Sequence, residues 1–204
     1  VTGTPDGRYV VFQSLATNLV AGDGNGKYDV FRKDMATNAI SMCSTSSSNI
    51  QGNDASYAPV ISDDGRYVSF VSLAYNFVAG DTNDGTFDVF RKDMQTSNIA
   101  CCSTSSTGVK GDGLSGSYSS ISSDGRYVLF CNNSTNLVPG DSNNNYDVFR
   151  KDLSNQKLIR CSTSASDGEA NGASKVTSFS MSADGRKCTF YSGASNLVSG
   201  DTNG

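Results

Sequence analysis

Short apolar runs alternate with Gly-, Asp- and Asn-rich stretches along the chain, and the pattern recurs about every 59 residues. The segment Tyr67-Val68-Ser69-Phe70-Val71 is apolar on both faces, as expected of a strand covered on both sides. Each unit holds four strand-like runs; in the second unit they are residues 56–62, 66–72, 87–94 and 98–105. Asp63-Asp64-Gly65 joins the first two and predicts a tight turn. A long polar connection, residues 73–86, separates the second run from the third. Its Asn76-Phe77-Val78 segment predicts an anchor that tucks back against the sheet.

The repetition is specific. Asp-Gly-Arg occurs at Asp6-Gly7-Arg8, Asp64-Gly65-Arg66, Asp124-Gly125-Arg126 and Asp184-Gly185-Arg186. Tyr28-Asp29-Val30-Phe31-Arg32-Lys33-Asp34 returns at residues 87–93 and 146–152, and Cys43-Ser44-Thr45-Ser46 at 102–105 and 161–164. Four antiparallel strands in such a unit match the size of a propeller blade with one long loop. The predicted fold is all-β, a β-propeller-like array of about three and a half four-stranded antiparallel blades. It forms one repeat domain, residues 1–204, with units at about 1–48, 49–107, 108–166 and an incomplete 167–204. The motifs Asp-Gly-Arg-Tyr-Val, Asn-Leu-Val-x-Gly-Asp and Asp-Val-Phe-x-x-Asp resemble those of TolB-like, WD-type β-propeller repeats over essentially the whole chain. The resemblance implies a propeller on an extracellular or cell-surface protein. It leaves the task open, because propellers host many unrelated functions.

Composition narrows the chemistry. Histidine is absent, which excludes Ser-His-Asp and Cys-His catalysis and histidine-ligated metals. The net charge of −4 argues against a nucleic-acid partner gripped through its phosphates. No apolar run is long enough to span a membrane as a helix.

The loops before the third strands carry the strongest candidate chemistry. Asp-x-Asn-x-x-x-Asp puts three hard oxygens on one turn, and calcium takes carboxylate, amide and backbone oxygens. The expected ligands are Asp23, Asn25 and Asp29, with the backbone oxygen of Lys27, then Asp81, Asn83 and Asp88, and Asp141, Asn143 and Asp147. The second set contains an inserted residue, and no glutamate closes any loop as in an EF-hand. The competing reading is a solvated loop held by Asx-turns.

Other motifs have structural readings. Arg8, Arg66, Arg126 and Arg186 are expected to bond carbonyls or a carboxylate within their own blades. Arg32-Lys33-Asp34 and its copies read as alternating edge charges on the third strand, or as a ligand-binding ring. Cys43, Cys102 and Cys161 occupy one repeat position, point the same way and should not pair with one another. They read as small buried hydrophobes, or as half of a disulfide between Cys43 and Cys101 of the next blade. Cys131 and Cys188 lie out of register for pairing. Asn132 and Asn133 head overlapping glycosylation sequons.

The functional expectation is a non-enzymatic extracellular structural or interaction module stabilised by Ca2+. Its partners would be further copies of the chain or the remainder of a longer propeller. A glycan- or protein-binding propeller is the alternative, and a carboxylate-dependent propeller hydrolase the second alternative. Tyrosine and asparagine suit sugar contacts, although the chain has no tryptophan to stack on a ring.

Overall fold

The computed structural model describes residues 1–81 and 85–201. These are all-β and form three four-stranded antiparallel sheets and a two-stranded one, the blades of a β-propeller. Blade one comprises β1 (Thr2–Gly3), β2 (Tyr9–Ser14), β3 (Asp29–Asp34) and β4 (Ile40–Met42). Blade two comprises β5 (Ser56–Ile61), β6 (Tyr67–Ser72), β7 (Asp88–Asp93) and β8 (Ile99–Cys101). Blade three comprises β9 (Ser115–Ile121), β10 (Tyr127–Asn132), β11 (Asp147–Asp152) and β12 (Leu158–Arg160). Blade four has only β13 (Ser174–Lys175) and β14 (Tyr191–Ser192) among the described residues. Within each complete blade the strands pair in sequence order, as simple up-and-down meanders.

The fourth strands stop after three residues for a local reason. The Val30, Val89 and Val148 amides bond the hydroxyls of Ser44, Ser103 and Ser162 at 3.1, 3.2 and 3.0 Å. A side chain thus enters where a main-chain ladder would continue.

Blades pack face to face through apolar clusters. Val11, Val30 and Cys43 of blade one meet Val68, Phe70, Phe90 and Ile99 of blade two. Val71, Val89 and Cys102 of blade two meet Val128, Phe130, Phe149 and Leu158 of blade three. The loop anchors join these cores: Phe77 packs edge-on against Phe70 and Phe90, and Leu137 is buried in the next cluster.

The third-strand charges correct the edge-charge reading. Successive side chains of a strand point to opposite faces, so each member of the motif reaches a different blade. Arg32, Arg91 and Arg150 each donate forward to the carbonyl of Gly65, Gly125 or Gly185 in the following blade, all at 2.6 Å. Lys92 and Lys151 point backward and are buried. Lys92 donates to the Thr45 and Ser46 carbonyls of blade one at 3.1 and 2.7 Å, and Lys151 to Thr104 and Ser105 of blade two at 3.1 and 2.8 Å. The third member, Asp93 or Asp152, stays at home and holds Arg66 or Arg126 of its own blade at 2.7 and 2.6 Å.

Candidate functional site

Each third strand begins with an aspartate, Asp29, Asp88 or Asp147, that is almost fully buried. One carboxylate oxygen accepts the hydroxyl of Ser44, Ser103 or Ser162, at 2.6 Å for Ser44 and 2.7 Å for Ser103. The other oxygen faces the preceding loop aspartate, Asp23, Asp81 or Asp141. The structure therefore brings together the paired carboxylates expected from the sequence.

A donor from later in the chain enters each pocket, and the donor differs from blade to blade. In blade one Gln51 Nε2 donates to both Asp23 and Asp29 at 2.8 Å. In blade two the Lys110 ammonium contacts Asp81 and lies 2.9 Å from Asp88. In blade three the Arg160 guanidinium lies 2.7 Å from Glu169, 3.4 Å from Asp147 and 3.6 Å from Asp141. Glu169 also accepts the amide and hydroxyl of Ser142, both at 2.9 Å.

Electrostatics follow the donors. Burial raises Asp29 and Asp88 above the usual carboxylate range, against the lowering effect of their hydrogen bonds. Burial also works against the Lys110 ammonium, yet Asp81 and Asp88 hold its pKa above the ordinary value. Burial and the adjacent Asp147 charge push Asp141 up to about 7. Burial pushes Glu169 the same way, but the Ser142 donors and Arg160 bring it below its usual value.

The metal-loop reading changes in two respects. Asn25 and Asn143 turn their carbonyl oxygens onto the Lys27 and Asn145 amides at 2.8 and 2.6 Å, so both serve as Asx-turn acceptors. Their amide groups donate to Gly52 and Ala170 carbonyls. The Lys27 side chain pairs with Asp54 at 3.2 Å. In blade two, Lys110 supplies the positive charge expected of a metal between Asp81 and Asp88; Asn83 lies outside the described residues. Among the described residues, blade three alone gathers three carboxylates, with oxygens of Asp141, Asp147 and Glu169 all within 4.8 Å of one another. That cluster could hold a metal. Asp141 Oδ2 is buried there without a hydrogen bond and with Arg160 3.6 Å away, and Asp81 Oδ2 in blade two is likewise buried without one.

Sequence reasoning missed Gln51, Lys110 and Glu169 as one set, although they stand 59 residues apart at one repeat position. Their variation hides the register, and Arg160 sits where blades one and two carry Met42 and Cys101.

Two other expectations are corrected. Cys43 and Cys101 do not bond; all six cysteines are free thiols. Cys43 is sealed in the blade-one–blade-two core, where burial pushes its thiol up to about 12. Cys101 Sγ instead lies 3.3 Å from Ser103 Oγ, on the side of the Asp88 pocket. Asn132 is buried and donates from Nδ2 to Ser115 Oγ at 2.9 Å, which leaves no room for a glycan. Asn133 is half-buried, and its carbonyl oxygen accepts the Leu114 amide at 2.6 Å.

A cavity of about 530 Å³ opens along the inner strands, lined in part by Tyr57, Phe87, Tyr118 and Phe179. Among the described residues no helix is long and apolar enough to cross a membrane.

No protein-family model and no curated protein matches the chain by sequence. Solved structures match its fold at low identity. The tricorn protease aligns with a TM-score of 0.52 and 12% identity, covering 87% of this chain and 13% of that one. The β-propeller domain of the Trilobed protease from Pyrococcus furiosus aligns at 0.46 and 17%, covering 75% and 39%. A protein assigned as TolB from Agrobacterium tumefaciens aligns at 0.45 and 16%, covering 78% and 46%. The chain thus spans less than half the length of each of these structures.

Proposed function

We propose that the chain is a non-enzymatic structural and interaction segment of an extracellular or cell-surface β-propeller, completed by further blades from a longer chain or from other copies. The observation that carries this reading is the use each blade makes of its repeated polar groups. The forward arginines of blades one to three, the backward lysines of blades two and three and the Asp-Gly turns of blades two to four are all engaged at blade–blade interfaces. Blade one presents the receiving half of that interface unfilled: Gly7 is exposed with open space around it, whereas Gly65, Gly125 and Gly185 are buried under the preceding blade. A blade offering an aromatic ring, an arginine and two carbonyls fits that face.

Light scattering over a concentration series tests the reading. Association above monomer mass is expected, and Lys33→Glu is expected to weaken it by disturbing the blade-one face. A monodisperse monomer at every concentration overturns association between copies, and detectable turnover of a glycoside or peptide substrate overturns the non-enzymatic role.

Calcium belongs to this proposal in blade three alone. Asp141, Asp147 and Glu169 would hold the ion once Arg160 swings away, and the ion would brace the loop against the blade. The glycan- or protein-binding alternative is favoured by the inner cavity, where Tyr118 and Phe179 are exposed beside Tyr57.

A further inference from the structure

The repeat position of Cys161 faces the next blade. In the first interface Cys43 shares its core with Val68, and in the second Cys102 shares its core with Val128. Val68, Val128 and Cys188 occupy the same place, four residues beyond the aspartate of Asp-Gly-Arg. The third interface therefore sets cysteine against cysteine where the first two set cysteine against valine. Both residues pack on the one cluster of Leu129, Cys131, Val148 and Val176, which brings the two cysteines to the same side of the blade-three–blade-four interface.

The backbone on both sides is held. The Cys161 amide donates to the Val148 carbonyl at 2.7 Å. The turn before Cys188 is fixed by the Arg150 bond to Gly185, and Cys188 itself bridges to Met181. Cys43 and Cys102 are fully buried, whereas Cys161 and Cys188 are half-buried, so a small oxidant can reach them.

We infer that Cys161 and Cys188 form a redox-controlled disulfide that staples the fourth blade to the third. The reaction is thiol–disulfide exchange with a low-molecular-weight disulfide such as oxidised glutathione. The Cys188 thiolate attacks one sulfur of the reagent, whose S–S bond breaks and releases one thiolate. Cys161 then loses its proton to solvent and attacks the Cys188 sulfur, displacing the second reagent thiolate. Two protein thiols are oxidised, one reagent disulfide is reduced, and two reagent thiols result.

The local electrostatics favour one thiolate in the pair. The hydrogen bond from Cys161, helped by Arg150 and opposed by burial, brings Cys188 down to about 7. The same contact, with burial, pushes Cys161 upward, and Arg150 favours the thiolate at either sulfur. The bond would close a chain segment running from position 161 to 188 and constrain the unfolded state.

The test uses the 204-residue chain in graded glutathione buffers, followed by alkylation and peptide mapping. Under oxidising conditions the reactive thiols of the denatured protein should fall from six to four, with one linked peptide joining Cys161 to Cys188. The oxidised protein should melt at a higher temperature than the reduced one. Cys188→Val installs the residue used at the first two interfaces; it should fold and lose the redox-dependent shift. A linkage through Cys131, a thiol count that stays at six, or a shift retained in Cys188→Val overturns the assignment.

Discussion

Tyr67 of blade two packs so closely on Gly125 of blade three that a Cβ at Gly125 would fall 2.1 Å from the ring carbon Cδ2. Gly125 also has φ +70°, a left-handed conformation that side chains resist. Its carbonyl receives Arg91, whose guanidinium lies 4.4 Å from the centre of the same ring. Tyr9 on Gly65 and Tyr127 on Gly185 repeat the contact. The glycine of the Asp-Gly-Arg turn is thus the surface on which the preceding blade docks.

Gly125→Ala is expected to destabilise the fold by about 2–4 kcal/mol, combining left-handed strain with overpacking. Urea unfolding measures it. Gly7→Ala has the strain without the ring, and should cost only about 1–2 kcal/mol; equal costs for the two variants would show that the tyrosine contact contributes nothing.

The buried lysines should behave as interface bolts. Lys151→Met removes the ammonium and leaves the Thr104 carbonyl without its donor, while the Ser105 carbonyl keeps the Gly108 amide at 3.1 Å. A loss of about 1–3 kcal/mol is expected, the cost of one buried unsatisfied acceptor. The partly exposed Lys33 has no acceptor from a preceding blade among the described residues, and Lys33→Met should cost under ~1 kcal/mol. Paired thermal melts of the two variants make the comparison.

Stability should fall in acid through the Asp93 and Asp152 ion pairs. Burial opposes ionisation of Asp93, but Arg66 and the Gln95 and Thr96 amides hold it well below the usual carboxylate range. Arg126 and Ser154 do the same for Asp152, against its burial. A depressed folded pKa gives stability that is full above the unfolded value of ~4 and is lost as pH falls toward the folded one. The arginines are partly exposed, so each pair should contribute only about 1 kcal/mol at neutral pH. Asp93→Asn should therefore melt below wild type at pH 7, with the gap narrowing toward pH ~2.

Calcium should act on one blade. At about ten times its Kd the ion should raise Tm by ~2–6 °C, and EDTA should reverse the rise. Glu169→Gln is expected to abolish the shift, whereas Asp88→Asn should leave it intact. Arg160→Met should enlarge it by removing the competing cation. Calorimetry with calcium and with magnesium decides, and no shift in either wild type or Arg160→Met would reduce the cluster to an ion pair.

The sequence by itself determined the blades. Strand length, the Asp-Gly turns and the two-sided apolar runs are local properties, and the 59-residue period repeats them so often that four-stranded units follow. It also located the paired aspartates, because both lie in one short loop. Only the tertiary structure decided what faces them. Gln51, Lys110 and Glu169 arrive from beyond the fourth strand, and each carries a different charge. The same limit hid the destinations of Arg91 and Lys92: strand alternation places them on opposite faces, but only blade stacking shows that one reaches Gly125 and the other Thr45. The thiol pair was hidden for the same reason. Cys161 and Cys188 lie in different repeat units, and contact between such positions depends on how one sheet is laid upon the next.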